Sequence, residues 1–208
     1  MRWVTEKTDR PISQSSIWLP FGQCPGLVTL GPGDANEVVE AYRYIIQLRH
    51  QPAALALSRQ PLPTLDRTKY APAAGGAHGA YVLADPPGGN PEVIIVASGS
   101  ELSLAVDAHE TLIAKGVRSR VVSMPSWDIF EHQHQEYRDS VLPPAVTARV
   151  AVEQASTLGW ERYVGTSGRV IGMHTFGASA PLKELQRKFG FDPAQVAEAA
   201  REQLRQIG

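Results

Sequence analysis

Cysteine is all but missing from this chain: among 208 residues only Cys24 carries a thiol. A lone thiol excludes an internal disulfide framework and any metal site built from clustered cysteines, and an inert side chain is the favoured reading over a nucleophile. A surplus of either charge is missing too. Lys and Arg number 20 against 21 Asp and Glu, a formal charge of −1, whereas a nucleic-acid binder normally shows a basic excess. No apolar run approaches the roughly 20 residues needed to span a bilayer. The opening MRWVTEKTD puts charges where a signal peptide needs its apolar centre, so no membrane partner and a cytoplasmic location are expected.

What is present is ordinary globular material. Hydrophobic residues make up 43% of the chain, enough for a buried core of one domain or slightly more. Its 16 prolines and 18 glycines stay within globular usage, which argues against global disorder.

Hydrophobic periodicity orders the chain from Leu27 onward. Leu27, Val28 and Leu30 read as a strand. Asp34 can cap the helix that follows, with Glu37 three residues later completing a capping box. Val38, Val39, Ala41, Tyr42, Ile45, Ile46 and Leu48 then recur at helical spacing. Ala53 to Leu57 reads as a buried strand ending at Ser58-Arg59-Gln60. Residues 61–79 are rich in Pro, Ala and Gly, with little period, and read as a linker. A second α/β unit starts near Ala80. Val93 to Ala97 is a continuous apolar run of the kind buried on both faces of a parallel sheet. A helix from Glu101 to about Lys115 follows, with Leu102, Leu104, Ala105, Ala108, Leu112 and Ile113 on its inner side. Further strands are expected at Val117–Val122, Ala148–Val152 and Val170–Gly172. Asp192 and Pro193 start a final helix. Strands and helices alternating at these lengths predict a three-layer α/β/α sandwich preceded by a partial second α/β domain.

Candidate sites are few. Gly99-Ser100 could turn backbone amides toward a phosphate, but Glu101 adds negative charge and a structural turn is the better reading. Glu131-His132-Gln133-His134 puts its imidazoles two residues apart, where they diverge on a helix, so a solvated face is expected. His50 and His109 are expected on helices as surface residues, His78 in a flexible Ala/Gly stretch, and His174 in a loop or interface. Gly33-Asp34-Ala35-Asn36 superficially resembles a Gly-Asp-Gly cofactor motif, yet Ala35 stands at the third position and capping explains Asp34. Arg59 emerges from a strand into a loop, where its guanidinium could fork two phosphate oxygens or form a structural ion pair. Local sequence leaves these two level.

Longer motifs carry more. VVSMPSW (Val121–Trp127), DSVLPPAVTARVAVE (Asp139–Glu153), GASAP (Gly177–Pro181), ASGSELSLA (Ala97–Ala105) and AALALSRQPLP (Ala53–Pro63) closely resemble transketolases, from about Pro25 to the end. By that resemblance 25–60 is a remnant of the pyrimidine-binding domain, 80–208 is the carboxy-terminal domain, and Arg59 contacts the sugar phosphate. The family transfers a two-carbon ketol unit between sugar phosphates, in the pentose phosphate pathway and the Calvin cycle. It uses thiamine diphosphate with magnesium or calcium, held between the diphosphate-binding domain of one subunit and the pyrimidine-binding domain of its partner. That first domain, the catalytic glutamate and the stacking aromatic residue have no counterpart in this sequence. No catalytic, cofactor-binding or metal-binding residue is therefore assigned, and no cofactor is expected to bind this chain alone. The resemblance implies either a companion transketolase N-terminal chain or a homodimer. The alternative is a non-catalytic α/β interaction or dimerisation module, or the product of a broken gene.

Residues 1–24 depart from the family. Spacing back from Arg59 puts Ile12 and Thr8 where transketolases have a substrate-contacting histidine and an aspartate. Allowed plausible codons and read across codon boundaries, Thr8 to Pro25 spell GPTHQPIEHLASFRAMP, a fluent transketolase segment. Residues 1–24 are therefore read as out of frame and as readily cut by proteases.

Overall fold

A computed structural model describes residues 25–174, 186 and 188–207. The out-of-frame reading of residues 1–24, the thiol of Cys24 and the GASAP motif all fall outside that range.

The fold grows outward from one strand. β4 (Val93–Ala97) is fully buried along its length, as its unbroken apolar run requires. Val93, Ile95 and Ala97 enter one core, and Ile94 and Val96 enter another on the opposite face. Each fully buried Val or Ile contributes about 1.5–3 kcal/mol of transfer free energy. β4 pairs in parallel with β5 (Ser119–Ser123) on one side and β6 (Arg149–Ser156) on the other. β7 (Arg169–Met173) continues the parallel set beside β6. β3 (Tyr81–Ala84), which sequence periodicity does not single out, closes the far edge antiparallel to β5. The sheet order is thus β3-β5-β4-β6-β7.

Helices cover both faces, giving the three layers. In chain order they are α1 (Ala35–Ile45), α2 (Leu102–Ala114), α3 (Trp127–Glu131), α4 (Gln135–Val141), α5 (Glu161–Val164) and α6 (Pro193–Ile207). Leu102, Ala105, Ala108 and Leu112 of α2 share the first core with Val196 and Ala200 of α6. Phe130, Val141, Trp160 and Tyr163 fill the second. There Trp127 meets the Trp160 ring edge-on at 5.0 Å and Tyr163 at 5.3 Å, geometries favoured by the ring quadrupole. The start of α6 follows its signal, with the Ala194 N–H donating to Asp192 at 2.7 Å.

A smaller unit sits at the C-terminal edge of the sheet. β1 (Val28–Leu30) and β2 (Ala53–Leu55) form a two-stranded parallel sheet under α1. β2 is shorter than expected and half-buried rather than buried, because β1 is its one described neighbour. The apolar stripe of α1 divides. Ala41 packs inward with Tyr44, Ile45 and Leu48, while Val39, Tyr42 and Ile46 stand 50%, 52% and 71% exposed. Residues 61–79, which lack periodicity, are held by polar bonds that need none. Ala71 N–H donates to Leu83 O, Tyr70 N–H donates to Asp66 O, and a 3-10 turn spans Ala73–His78. His78 is not loose within that turn: its ring lies 4.9 Å from that of Tyr137.

Gly79 fixes the close approach of this turn to α3. Its φ is +84°, and a Cβ there would lie 2.2 Å from the Phe130 nitrogen and 2.5 Å from the Ser126 oxygen. Gly79→Ala is expected to cost more than about 2 kcal/mol. Urea denaturation followed by circular dichroism checks this; an unchanged midpoint would show that the turn yields freely.

Candidate functional site

The small unit is pinned to the sheet edge by backbone bonds and buried carboxylates. Gly31 N–H donates to Pro125 O at 2.7 Å, and Gly99 N–H donates to Gly31 O at 3.0 Å. Thr29 gives both its N–H and its hydroxyl to Asp128, at 3.1 and 2.7 Å. Asp34 caps α1 as expected, accepting the Glu37 N–H at 2.8 Å. The reciprocal half of the capping box is displaced by one residue, for Glu37 Oε2 accepts from Gly33 N–H at 2.7 Å. Its other oxygen serves a tertiary role, accepting the Tyr81 and Ser123 hydroxyls at 2.6 Å each.

Arg67 closes the network. It donates to Asp34 at 2.8 Å and to the Tyr81 hydroxyl at 2.9 Å. Burial, and then the Glu37 carboxylate, push the Tyr81 pKa well up, so its hydroxyl remains a donor. The sequence offered Glu37 only as a local cap. Arg67 and Tyr81 gave no signal at all, since tertiary partners of a buried carboxylate follow no spacing rule.

This seam sets the position of Arg59. Beyond β2, Ala56 N–H still pairs with Leu30 O at 2.8 Å. The Ser58 hydroxyl then accepts the Gln60 N–H at 3.0 Å, turning the chain around Arg59. The guanidinium is exposed, and the ion pairs among the described residues do not include it. Such a group can fork an oxyanion without first surrendering a carboxylate.

A second polar cluster lies where the sheet changes direction. After β4 the chain enters α2 on one face, and after β6 it enters α5 on the other, leaving a crevice between the two C-terminal strand ends. Glu101 and Glu153 sit there. Glu101 is buried and accepts the Ser100 hydroxyl, while Glu153 accepts the Ser98 hydroxyl at 2.8 Å. Burial, then repulsion from Glu153, raises the pKa of Glu101, and burial also raises that of Glu153. The pair therefore keeps protons above the usual carboxylate range. In the sequence alone Glu101 reads only as a charge at a helix start.

The histidines are dispersed. His109 is buried and not a surface residue: it is 5% exposed, with Nδ1 2.9 Å from the Ser119 hydroxyl, because its side of α2 faces the sheet. Burial lowers its pKa and keeps it neutral. His50 lies in a bend after α1, not on the helix. His132, His134 and His174 are exposed.

Comparison with known proteins assigns the domain. A family model described as "Transketolase-like TK C-terminal domain" matches residues 79–192. The chain is 48% identical over 177 residues to the transketolase of Halalkalibacterium halodurans, covering 85% of this chain and 26% of that one. This chain belongs to the transketolase family. Among solved structures, transketolase from Leishmania mexicana superposes with a TM-score of 0.84 at 37% identity, over 92% of this chain and 27% of that one. A "split gene transketolase, inactive beta4 tetramer" shares the fold, with a TM-score of 0.69 at 18% identity over 93% of this chain and 62% of that one. The chain thus spans about a quarter of the full-length transketolases it matches.

The carboxylate pair of this transketolase domain gives a pH test. A native state that holds protons above the ordinary value of 4.5 loses stability as pH rises, up to about 8. Glu101→Gln should flatten that decline, so the urea midpoint of the variant falls less between pH 5 and pH 8 than that of the parent. Equal slopes would mean that the pair titrates normally.

Proposed function

We propose that this chain supplies the carboxy-terminal part of a transketolase that transfers a two-carbon ketol unit between sugar phosphates. In this reading Arg59 holds the substrate phosphate, and the cytoplasm and the pentose phosphate pathway are its setting. One observation carries the proposal: 48% identity across 85% of the chain to a transketolase of which it spans 26%. Among the described residues no helix is long and apolar enough to cross a membrane, which is compatible with that location.

The family's cofactor does not fit the residues described. Asp34, the one carboxylate in the Gly33–Asn36 stretch, is committed to Glu37 N–H, Leu65 N–H and Arg67. The Asn36 amide is committed to Asp34 and to the Leu65 carbonyl. No cluster of three or more His, Cys, Asp or Glu residues suited to a metal occurs among the described residues. Thiamine diphosphate and its magnesium or calcium ion would be held by the family's other domains. What this chain contributes is one arm of substrate binding and the seam that holds it in place.

A second reading rests on Val39, Tyr42 and Ile46, the exposed apolar face of α1. It makes the chain a non-catalytic association module or a broken-gene product that forms homo-oligomers without turnover, like the inactive beta4 tetramer of the split gene transketolase. Two measurements separate the readings.

Assayed alone with thiamine diphosphate and magnesium, the chain is expected to show no ketol transfer; turnover above blank would remove the need for a companion. Supplied with a polypeptide carrying the preceding domains, it should regain activity. Arg59→Gln in that complex should then raise KM for the sugar phosphate about 10–100-fold, the loss of a charge-assisted hydrogen-bond pair. An unchanged KM would take Arg59 out of the site.

A further inference from the structure

A second candidate anion site lies at the opposite end of the sheet, where β6 and β7 begin. There α4, the loop into β6 and the end of α5 enclose a cleft of about 450 Å³. Three guanidiniums line it, from Arg138, Arg149 and Arg162, against the carboxylates of Glu131 and Asp139. Arg149 is bound only by carbonyl oxygens: Nε donates to Val146, Nη1 to Tyr163, and Nη2 to Leu142 and Pro143, at 2.7 to 3.2 Å. Its charge is thus solvated by dipoles without a carboxylate in contact, leaving positive potential beneath the cleft. Glu131 is shared between Arg138 at 2.9 Å and Arg162 at 3.8 Å. Asp139 takes a hydrogen bond from Gln135 at 2.7 Å.

An independent observation points to the same place. Four buried side-chain polar atoms among the described residues lack a hydrogen-bond partner, and two of them, Arg138 Nε and Tyr163 Oη, belong to residues of this cleft. A buried donor without an acceptor is costly and calls for a partner. Arg138 Nε can only donate, and the Tyr163 hydroxyl has a proton to give. A guanidinium has no acceptor, and burial, assisted by nearby Glu131, pushes the Tyr163 pKa up and keeps its hydroxyl protonated.

Unmatched donors beside a cation without a carboxylate partner fit a ligand that only accepts. A phosphate presents three such oxygens, and the volume leaves room for a small organic body. We propose that this cleft binds a phosphate monoester of metabolite size, with its phosphate on Arg138, Arg162 and Tyr163 and the charge of Arg149 behind it. The site lies beyond the reading of Arg59 and does not depend on it.

The full chain, labelled with 15N, is titrated with glycerol 3-phosphate, inorganic phosphate and glycerol. The ester is expected to shift the amides of Gly165, Thr166 and Ser167, and glycerol to leave them still. Arg162 is more than half exposed, so Arg162→Gln should keep the fold, and Tyr163→Phe retains the packed ring. Each should weaken ester binding about tenfold, roughly one charge-assisted hydrogen bond. Arg59→Gln should leave it unchanged.

Several results would overturn the proposal: no shifts with the ester, shifts that persist at full strength in both cleft variants, or shifts that vanish in Arg59→Gln. Inorganic phosphate binding as tightly as the ester would overturn the monoester assignment and leave an adventitious ion only.

Discussion

The Glu37 carboxylate holds two halves of this molecule in register. One oxygen takes the Gly33 N–H at the mouth of α1, and the other takes hydroxyls from Tyr81 on β3 and Ser123 on β5. A buried carboxylate left short of donors is strongly unfavourable, so all three elements must arrive together. Arg67, bridging Asp34 and Tyr81, adds the compensating positive charge. Because β1 leads into α1 and β2 pairs with β1, the placement of the loop carrying Arg59 follows from this one cluster.

The same sheet edge carries a second constraint. Gly33 leaves no space for a Cβ against Leu102 and the Gly99 carbonyl, and Gly99 in turn bonds Gly31. The loop before α1 therefore rests on the loop after β4, next to the crevice holding Glu101 and Glu153. Two apolar cores and α/β crossovers supply most of the stability, while a small number of polar contacts decide orientation. Hydrophobic burial is non-directional; hydrogen bonds to a buried charge are directional.

This division also explains what the sequence disclosed. Val93 to Ala97, the α2 pattern and the Asp192-Pro193 start were readable because burial imposes a period and capping imposes a local chemistry. The three layers followed from their alternation. β3 escaped notice because an edge strand of four residues has too short a pattern, and His109 was misplaced because one polar residue on a buried face breaks the period without leaving it. At the candidate site, Arg59 is proposed from a local strand-to-loop motif matched to the family. The Glu37–Arg67–Tyr81 cluster and the Arg138–Arg149–Arg162 cleft were not legible. Their members come from separate elements, and only the fold brings them together.

The paired carboxylates at the β4–β6 crevice also bear on how the protein behaves in bulk. The formal charge of −1 counts every Asp and Glu as ionised. A proton retained by the Glu101–Glu153 pair makes the folded chain less negative than that count. Unfolding, which frees the proton, restores that count. Folded and unfolded molecules thus differ in electrophoretic mobility, and the folded form has the weaker electrostatic repulsion between copies.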